Sequence, residues 1–487
     1  TPLALAVMDE FTEGCFADDL RLLQPRPDNW YALAETYPPD FVFVESAWKG
    51  NGGSWQYRVG SYSVKPGTEL AHMTAWARQR RIPSIFWNKE DPVHHRKFVE
   101  AAGLTDYIFT TDANMVDSYR RATGNQNVYA LPFAAQPRLH KPAALEGRIP
   151  KACFAGSWYG DRHEERGEAM KWLLRAALTH GLDIFDRNYG TGKFPFPEQY
   201  QASIRGSLPY LQLCEEYRRY RVFLNVNSVT DSPTMFSRRV FELLASGTPV
   251  VSTYACGIEE MFGNDIVWFV RDAEEADEAL RTLLEDDTEW RRRSLAGIRA
   301  VFAEHTYAHR LNQIFDMIGV DEQVETTPSI LLLARARSAY EIEPLANIAA
   351  YQSYRNFQVL VSSGDQDHAH AHLPSNVTIV PETSFEHDEL KQRIRGHSAI
   401  GWISPDCRYG TGYVRDLANA MLYRREAKGW AKAVDGDRFA YGHAAHLAGA
   451  IWEPDAFVEL WSNQTELGSV THDELFLIDA EEFEASI

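Results

Sequence analysis

No run of apolar residues in this sequence approaches the roughly 20 that a membrane-spanning helix requires, so it offers no spanning segment. No hydrophobic leader is recognisable either, and a first residue of Thr1 suggests a trimmed start. Cysteine is scarce. Cys15, Cys153, Cys214, Cys256 and Cys407 are scattered, odd in number and without metal-ligand spacing, which reads as reduced core thiols of a cytoplasmic protein. Basic residues are also short: 49 Lys and Arg against 68 Asp and Glu leave a formal charge of −19. That balance excludes an overall basic face for nucleic acid, while leaving room for a local basic pocket. Walker loops, zinc spacings and nucleophile elbows are absent, and with them the chemistries they carry. What remains is a 487-residue chain, 45% hydrophobic and 12% aromatic, with room for about three globular domains.

Strand alternates with helix through residues 1–135. The runs LALAVM, FVFVES, IPSIFWN, YIFTTD and VYALPFAA read as buried strands, and 68–80 and 93–102 as helices. Such alternation predicts an α/β fold with a parallel sheet, which binds ligands at the carboxyl ends of its strands. Polar residues gather at those ends: Glu10 after the first strand, Glu45 after the second, and Asn88, Glu90, Asp91 and His94 after the third. Residues 136–150 carry three prolines and read as a linker. A second alternating set fills 151–319, and the amphipathic segment 289–318 reads as one long closing helix.

Residues 231–253, DSPTMFSRRVFELLASGTPVVST, predict a helix with its start, its stop and the strand that follows. Asp231 or Ser232 suits the cap, Pro233 the first position, and Gly247 the left-handed end. Thr234, Met235, Phe236, Ser237, Arg238 and Arg239 would then surround a helix N-terminus able to hold a phosphate or diphosphate. Arg238 and Glu242 stand four apart, and a plain surface ion pair is the other reading.

After a polar stretch at 320–328, residues 328–487 restart with strand, helix and strand. The phrase Gln352-Ser353-Tyr354 resembles the opening of GT-A, family 2-type glycosyltransferases. Their Asp-x-Asp metal motif falls where this chain has Ser404-Pro405-Asp406-Cys407, with Asp365 or Asp367 as further carboxylates. One hard oxygen ligand is thin for a divalent ion. A degenerate domain that binds a partner or acceptor is therefore expected over an active second centre. The region is short for a full domain of that type, as in a fragment of a longer protein.

Across residues 1–320 the phrases DEFTEGCF, FVFVESAWKGNGGSWQYR, FWNKEDPVHH, IFTTDANM, LPFAAQP, FAGSWYG and FLNVNSVTDSPTMFSRRVFELLASGTPVVST resemble the spore maturation protein CgeB-like group of glycosyltransferases with the GT-B fold. The resemblance implies two Rossmann-like domains, 1–135 for the acceptor and 151–319 for the donor. It implies transfer of a sugar from a nucleotide-diphosphate donor to a carbohydrate acceptor, a bacterial surface glycan or its precursor, with no metal required. Glu242 would bind the donor ribose. Gly156 and Ser157 would approach the phosphates through a glycine turn, unless that is an ordinary strand-to-helix turn. Arg187 and Asn188 would reach the phosphates or base, or form local salt bridges. Asn225, Asn227 and Ser228 would bond the sugar or diphosphate, or close local turns. Thr234 stands where many retaining GT-B enzymes carry a second Glu, which leaves the stereochemistry open. Asp91, Glu90 and His94 are the candidate bases, Asp91 before Pro92 being equally a helix cap. Glu45, Trp48, Lys49, Asn51, Gly52 and Trp55 suit a carbohydrate acceptor, or pack as core. Two rivals stand beside this reading: a nucleotide-sugar epimerase of the same fold, and a non-catalytic glycan-binding scaffold.

Overall fold

The computed structural model describes residues 1–62, 68–159, 164–364, 373–434, 436, 438–463 and 469–485. They divide into two compact units, Thr1–Lys141 with Arg148–Val324, and Pro142–Gly147 with Glu325–Ile487.

The first unit holds two six-stranded parallel sheets. In the first, Arg21–Leu23, Leu3–Val7, Phe41–Glu45, Ser84–Asn88, Tyr107–Thr110 and Val128–Ala130 lie side by side in that order. Both faces are covered, which is why these strands are continuous apolar runs. Leu5, Val7, Val42 and Val44 pack on one side with Trp30, Met73 and Trp76. Phe41 and Phe43 face the other, 6.0 Å from Phe315 and 5.3 Å from Phe16. The order reverses between Leu3–Val7 and Phe41–Glu45, leaving a crevice at their carboxyl ends.

The second sheet runs Trp268–Phe269, Val250–Ser252, Tyr220–Asn225, Ile149–Gly156, Leu182–Asp186 and Ile204–Gly206. Its reversal lies between Ile149–Gly156 and Tyr220–Asn225, so Gly156 and Asn225 flank the second crevice. Helix Tyr307–Ile318 crosses back onto the first sheet, where Gln313 donates to Ala130 O (3.0 Å) and Arg310 to Pro132 O (3.0 Å). Two Rossmann-like domains joined by a returning C-terminal helix make the GT-B fold.

Three expectations need correction. The closing segment 289–318 is two helices, Asp287–Glu304 and Tyr307–Ile318. The chain breaks at Thr306, which bridges to Ala135 and shares a capping box with His309. Residues 136–150, expected as a linker, connect the two sheets as a packed segment in which Gln136, His140 and Arg148 are buried, and they end earlier than expected because the strand already begins at Ile149. The central helix spans only Arg239–Ala245. Residues 232–238 stay unwound because Ser232 Oγ captures the Thr234 and Met235 N–H groups, and Gly257 presses so close that a Cβ would sit 2.8 Å from Pro233 O. Gly247 does end the helix with a φ of 67°.

The second unit is built on an eight-stranded mixed sheet. Val377–Val380, Phe357–Ser363, Ile330–Ala336 and Ala399–Trp402 form its parallel half. Ala450–Trp452 then joins antiparallel to Ala399–Trp402, followed by Gly429–Ala431, Ser469–Leu477 and Ala440–His446. Lys432 is buried beneath it and pairs with Asp416 (2.7 Å) and Asp479 (2.8 Å). Asp406 is exposed and tied to Arg337 at 2.9 Å; Asp365 and Asp367 lie outside the described residues. Among the described residues no helix is long and apolar enough to cross a membrane, and no group of three His, Cys, Asp or Glu could hold a metal ion.

Candidate functional site

The carboxyl ends of both sheets in the first unit border a cavity of about 380 Å³, joined by shared walls to a smaller one of about 220 Å³. Ala155, Gly156, Arg187 and Arg239 line both. Gly156 ends its strand, Arg187 follows Leu182–Asp186, and Arg239 opens the short central helix. Arg166 adds a third guanidinium to the smaller cavity, resting on Tyr159 at 4.6 Å from the ring. Among the described residues none of these three meets a carboxylate, and the Nε atoms of Arg166 and Arg239 are buried without a partner. Desolvation, then the Arg239 and Arg238 charges, hold the Arg187 guanidinium below its ordinary pKa. A chain of net charge −19 thus gathers cations here without a paired carboxylate among the described residues, the electrostatic signature of an anion site.

Arg238 is held differently. It lies between the rings of Phe11 (3.8 Å) and Tyr210 (4.7 Å) and pairs with Glu242 at 3.5 Å. Glu242 is itself buried, and both its oxygens are occupied by Tyr210 Oη (2.8 Å) and Tyr217 Oη (3.0 Å). Burial opposes its charge, yet Arg238, His140 and the Tyr210 hydroxyl keep its pKa below the usual carboxylate value. Tyr210 and Arg238 line the larger cavity, whereas Glu242 stands behind them and lines neither. The expected surface ion pair is therefore a buried one, and Glu242 is not among the residues that line the two cavities. The helix itself is seven residues long, and Met235, Phe236, Ser237 and Arg239 at its start line the smaller cavity.

The remaining donor candidates divide in two groups. Ser157, Ser228, Met235, Phe236 and Ser237 line the smaller cavity. Asn225 and Asn227 line it too, but their amides are used in bonds to each other (2.9 Å), to Ser252 and to Thr253. Asn188 donates to Ser157 Oγ at 2.8 Å. Thr234 turns to the first domain, accepting from Ala113 N (2.8 Å) and donating to Thr111 O (2.9 Å).

On the first domain's wall the larger cavity meets Phe11, Lys89, Glu90 and Phe133. Glu90 is the one candidate base that lines it. Asp91 is buried, bonded by Asn88 (3.0 Å), Thr110 (2.6 Å) and Tyr119 (3.0 Å), so it anchors the strand end. Asn88 serves that same anchor. His94 packs edge-on against Trp48 at 5.1 Å. Glu45 is fully buried, accepting from Thr12 and from Asp9 N, with Lys89 Nζ at 3.1 Å. Burial, with Asp9 nearby, raises its pKa despite Lys89. Trp55 is core, with Nε1 donating to Pro25 O, and the Asn51 amide ties Ala6 O to Pro25 O. These three are not among the residues that line the two cavities. Glu10, Lys49 and Gly52 are exposed, and Trp48 is half-buried.

Sequence reasoning missed Phe11, Lys89, Arg166, Phe185 and Tyr210. Phe11 and Lys89 sit in strand-end phrases already singled out, so position was the available signal. Arg166 and Tyr210 lie on helices with nothing local to mark them.

Residues 162–316 match the family model described as glycosyl transferase-like, a stretch covering most of the second domain and the crossing helix. No curated protein matches the chain. Among solved structures it is similar to TarM, with 9% identity over 59% of this chain and 57% of that one and a TM-score of 0.39. It is similar to Anabaena HepE in complex with UDP-glucose, with 12% identity over 65% and 91% and a TM-score of 0.42. It is also similar to T4 phage BGT in complex with UDP and Mn²⁺, with 12% identity over 66% and 100% and a TM-score of 0.42.

Proposed function

We propose that the chain is a glycosyltransferase of CgeB-like type. It moves a sugar from a nucleoside-diphosphate donor to a carbohydrate acceptor, a bacterial surface glycan or precursor, in the cleft of the first unit. The observation that carries this reading is the set of guanidiniums of Arg166, Arg187 and Arg239 at the switch point of the second sheet, none of which meets a carboxylate among the described residues. A diphosphate supplies the charge they lack and accepts their forked donors. Arginines so placed also stabilise the charge that grows on the leaving diphosphate, which is the work a metal ion would otherwise do. The glycosyl transferase-like match over 162–316 supports the same reading.

In the reaction, an acceptor hydroxyl attacks the anomeric carbon. The bond from that carbon to the diphosphate oxygen breaks with its electron pair, and Glu90 takes the hydroxyl proton from the opposite wall. Phe11 and Phe133 shield that side of the cavity, and Lys89 adds a cation.

Calorimetric titration of the whole chain with UDP, GDP and dTDP, in EDTA and then with Mn²⁺, tests the proposal. One nucleoside diphosphate should bind in EDTA, and Arg239→Ala should cost about 1–3 kcal/mol, the scale of charge-assisted bonds. Binding that requires Mn²⁺ and ignores Arg239→Ala would remove the metal-free site. No binding of any nucleotide would leave the glycan-binding scaffold as the better reading.

A further inference from the structure

Tyr210 opens the helix Tyr210–Tyr217 and, with Arg238, belongs to the wall of the larger cavity. A histidine reaches it from behind. His140 comes from the packed segment between the two sheets, is fully buried and lines neither cavity. Its Nε2 stands 3.1 Å from Tyr210 Oη.

The protons along this path have one consistent arrangement. Gln136 N donates to His140 Nδ1 at 3.0 Å, so that nitrogen is an acceptor and the hydrogen of the neutral ring is on Nε2. Burial keeps the ring neutral, lowering its pKa to about 4. Nε2–H then donates to Tyr210 Oη, and Tyr210 gives its own hydrogen to Glu242 Oε1 at 2.8 Å. Cys214 Sγ, 3.6 Å from Nε2, is a much weaker acceptor. Tyr217 Oη takes the other oxygen of Glu242 at 3.0 Å, and Arg238 stands 3.5 Å from the carboxylate. An apolar residue of similar size at 140 would fill the same space, but it would leave the Tyr210 hydroxyl one partner short.

The same segment grips the first domain. Gln136, equally buried, donates its side-chain amide to Cys15 O at 2.8 Å, in the helix Glu10–Phe16. That helix carries Phe11, whose ring lies 3.8 Å from the Arg238 guanidinium and meets Tyr210 edge-on at 5.3 Å. Contacts therefore run from the helix of Phe11 through Gln136, His140 and Tyr210 and back to Phe11, with Arg238 held between the two rings. We propose that His140 is a positioning residue of the donor site, which directs the Tyr210 hydroxyl onto Glu242 and so holds Tyr210 and Arg238 in place for the nucleoside diphosphate. This rests on the glycosyl-transfer reading above.

Asn and Gln divide the imidazole between them: Asn keeps an acceptor near the place of Nδ1, and Gln a donor near the place of Nε2. Both variants should lower the melting temperature, since each loses a buried hydrogen bond. They should part in calorimetry of the whole chain with UDP, GDP, dTDP and pyrophosphate. His140→Asn should weaken pyrophosphate and the nucleoside diphosphate that binds by about 10-fold, whereas His140→Gln should stay within about 2-fold of the unaltered chain. Tyr210→Phe should match the loss in His140→Asn, and it reads the role of the hydroxyl even where the Asn variant does not fold. With Tyr210→Phe already in place, His140→Asn should cost no further affinity, because no hydroxyl is left to direct. Equal losses in the Asn and Gln variants, unchanged affinity in His140→Asn or in Tyr210→Phe, or a full further loss in the double variant would overturn the role and leave His140 a packing residue. Absence of nucleotide binding in the unaltered chain would instead bring down the glycosyl-transfer reading, and pyrophosphate would then decide the role of His140; absence of both would bring down both.

Discussion

Glu242 carries two tyrosine hydroxyls, a guanidinium at 3.5 Å and a histidine at 3.9 Å, and opens to neither cavity. A carboxylate so placed acts through its neighbours: it orients Tyr210 and Arg238, which do line the cleft. Pyrophosphate separates this role from a ribose contact, because it has no ribose. Glu242→Gln should weaken pyrophosphate and nucleoside diphosphate alike, by about 1–3 kcal/mol, since one loosened framework serves both. It should also lower stability by about 3–5 kcal/mol, as breaking a buried pair from one side does. Calorimetry with both ligands decides. A loss confined to the nucleoside diphosphate would restore the direct ribose role. Glu242 and its four-residue spacing from Arg238 were readable in sequence, but its setting was not. Tyr210 and Tyr217 lie 32 and 25 residues upstream, on a different helix, and only the fold brings their hydroxyls to it.

At the scale of elements, strands were the legible part. Runs such as FVFVE and SIFWN are buried on both faces, and continuous burial is what apolar runs report. Segments whose conformation is set from afar were misread. Pro233 and Ser232 signal a helix start locally, but Ser232 Oγ donates to Asp112 at 2.6 Å and Thr234 bonds residues 111 and 113 of the other domain. These contacts cross more than a hundred residues of chain and hold 231–235 unwound as a clasp between the two Rossmann-like domains. Thr234 thus serves here to join the two domains. A double-mutant cycle between Ser232→Ala and Asp112→Ala should give a coupling of about 1–3 kcal/mol in denaturant unfolding, the range for a bond to a charged group. Coupling near zero would mean that the clasp contributes nothing to stability. Thr234→Val should increase hydrogen exchange at Ala113 N, which would lose its acceptor.

For the first unit as a whole, the junction of its two domains is where histidines collect. His140 lies fully buried in the connecting segment, its Nδ1 accepting from Gln136 N (3.0 Å) and its Nε2 3.1 Å from Tyr210 Oη. His305 and His309 flank the break before the crossing helix, beside Arg310. Burial lowers the pKa of His140 to about 4, of His305 to about 3 and of His309 to about 4, with Arg310 adding repulsion at the latter two. In the unfolded chain each titrates near 6.5, so below that pH the unfolded state takes up protons that the folded state refuses. The sign is then fixed: stability is full above about pH 6.5 and falls as the pH drops toward 4, and the part of that range above about pH 5 is one where few carboxylates have yet titrated. Three such groups give a slope of up to about 4 kcal/mol per pH unit. His309→Gln isolates one of them, because Gln at that helix position can still reach back to the Thr306 N–H and complete the capping box. Urea unfolding between about pH 7 and about pH 5 should therefore show the slope of His309→Gln reduced by about 1 kcal/mol per pH unit on average, with stability at neutral pH nearly unchanged. If the slope stays the same, His309 does not titrate on unfolding, and the acid sensitivity of the domain junction belongs to His140 and His305 alone.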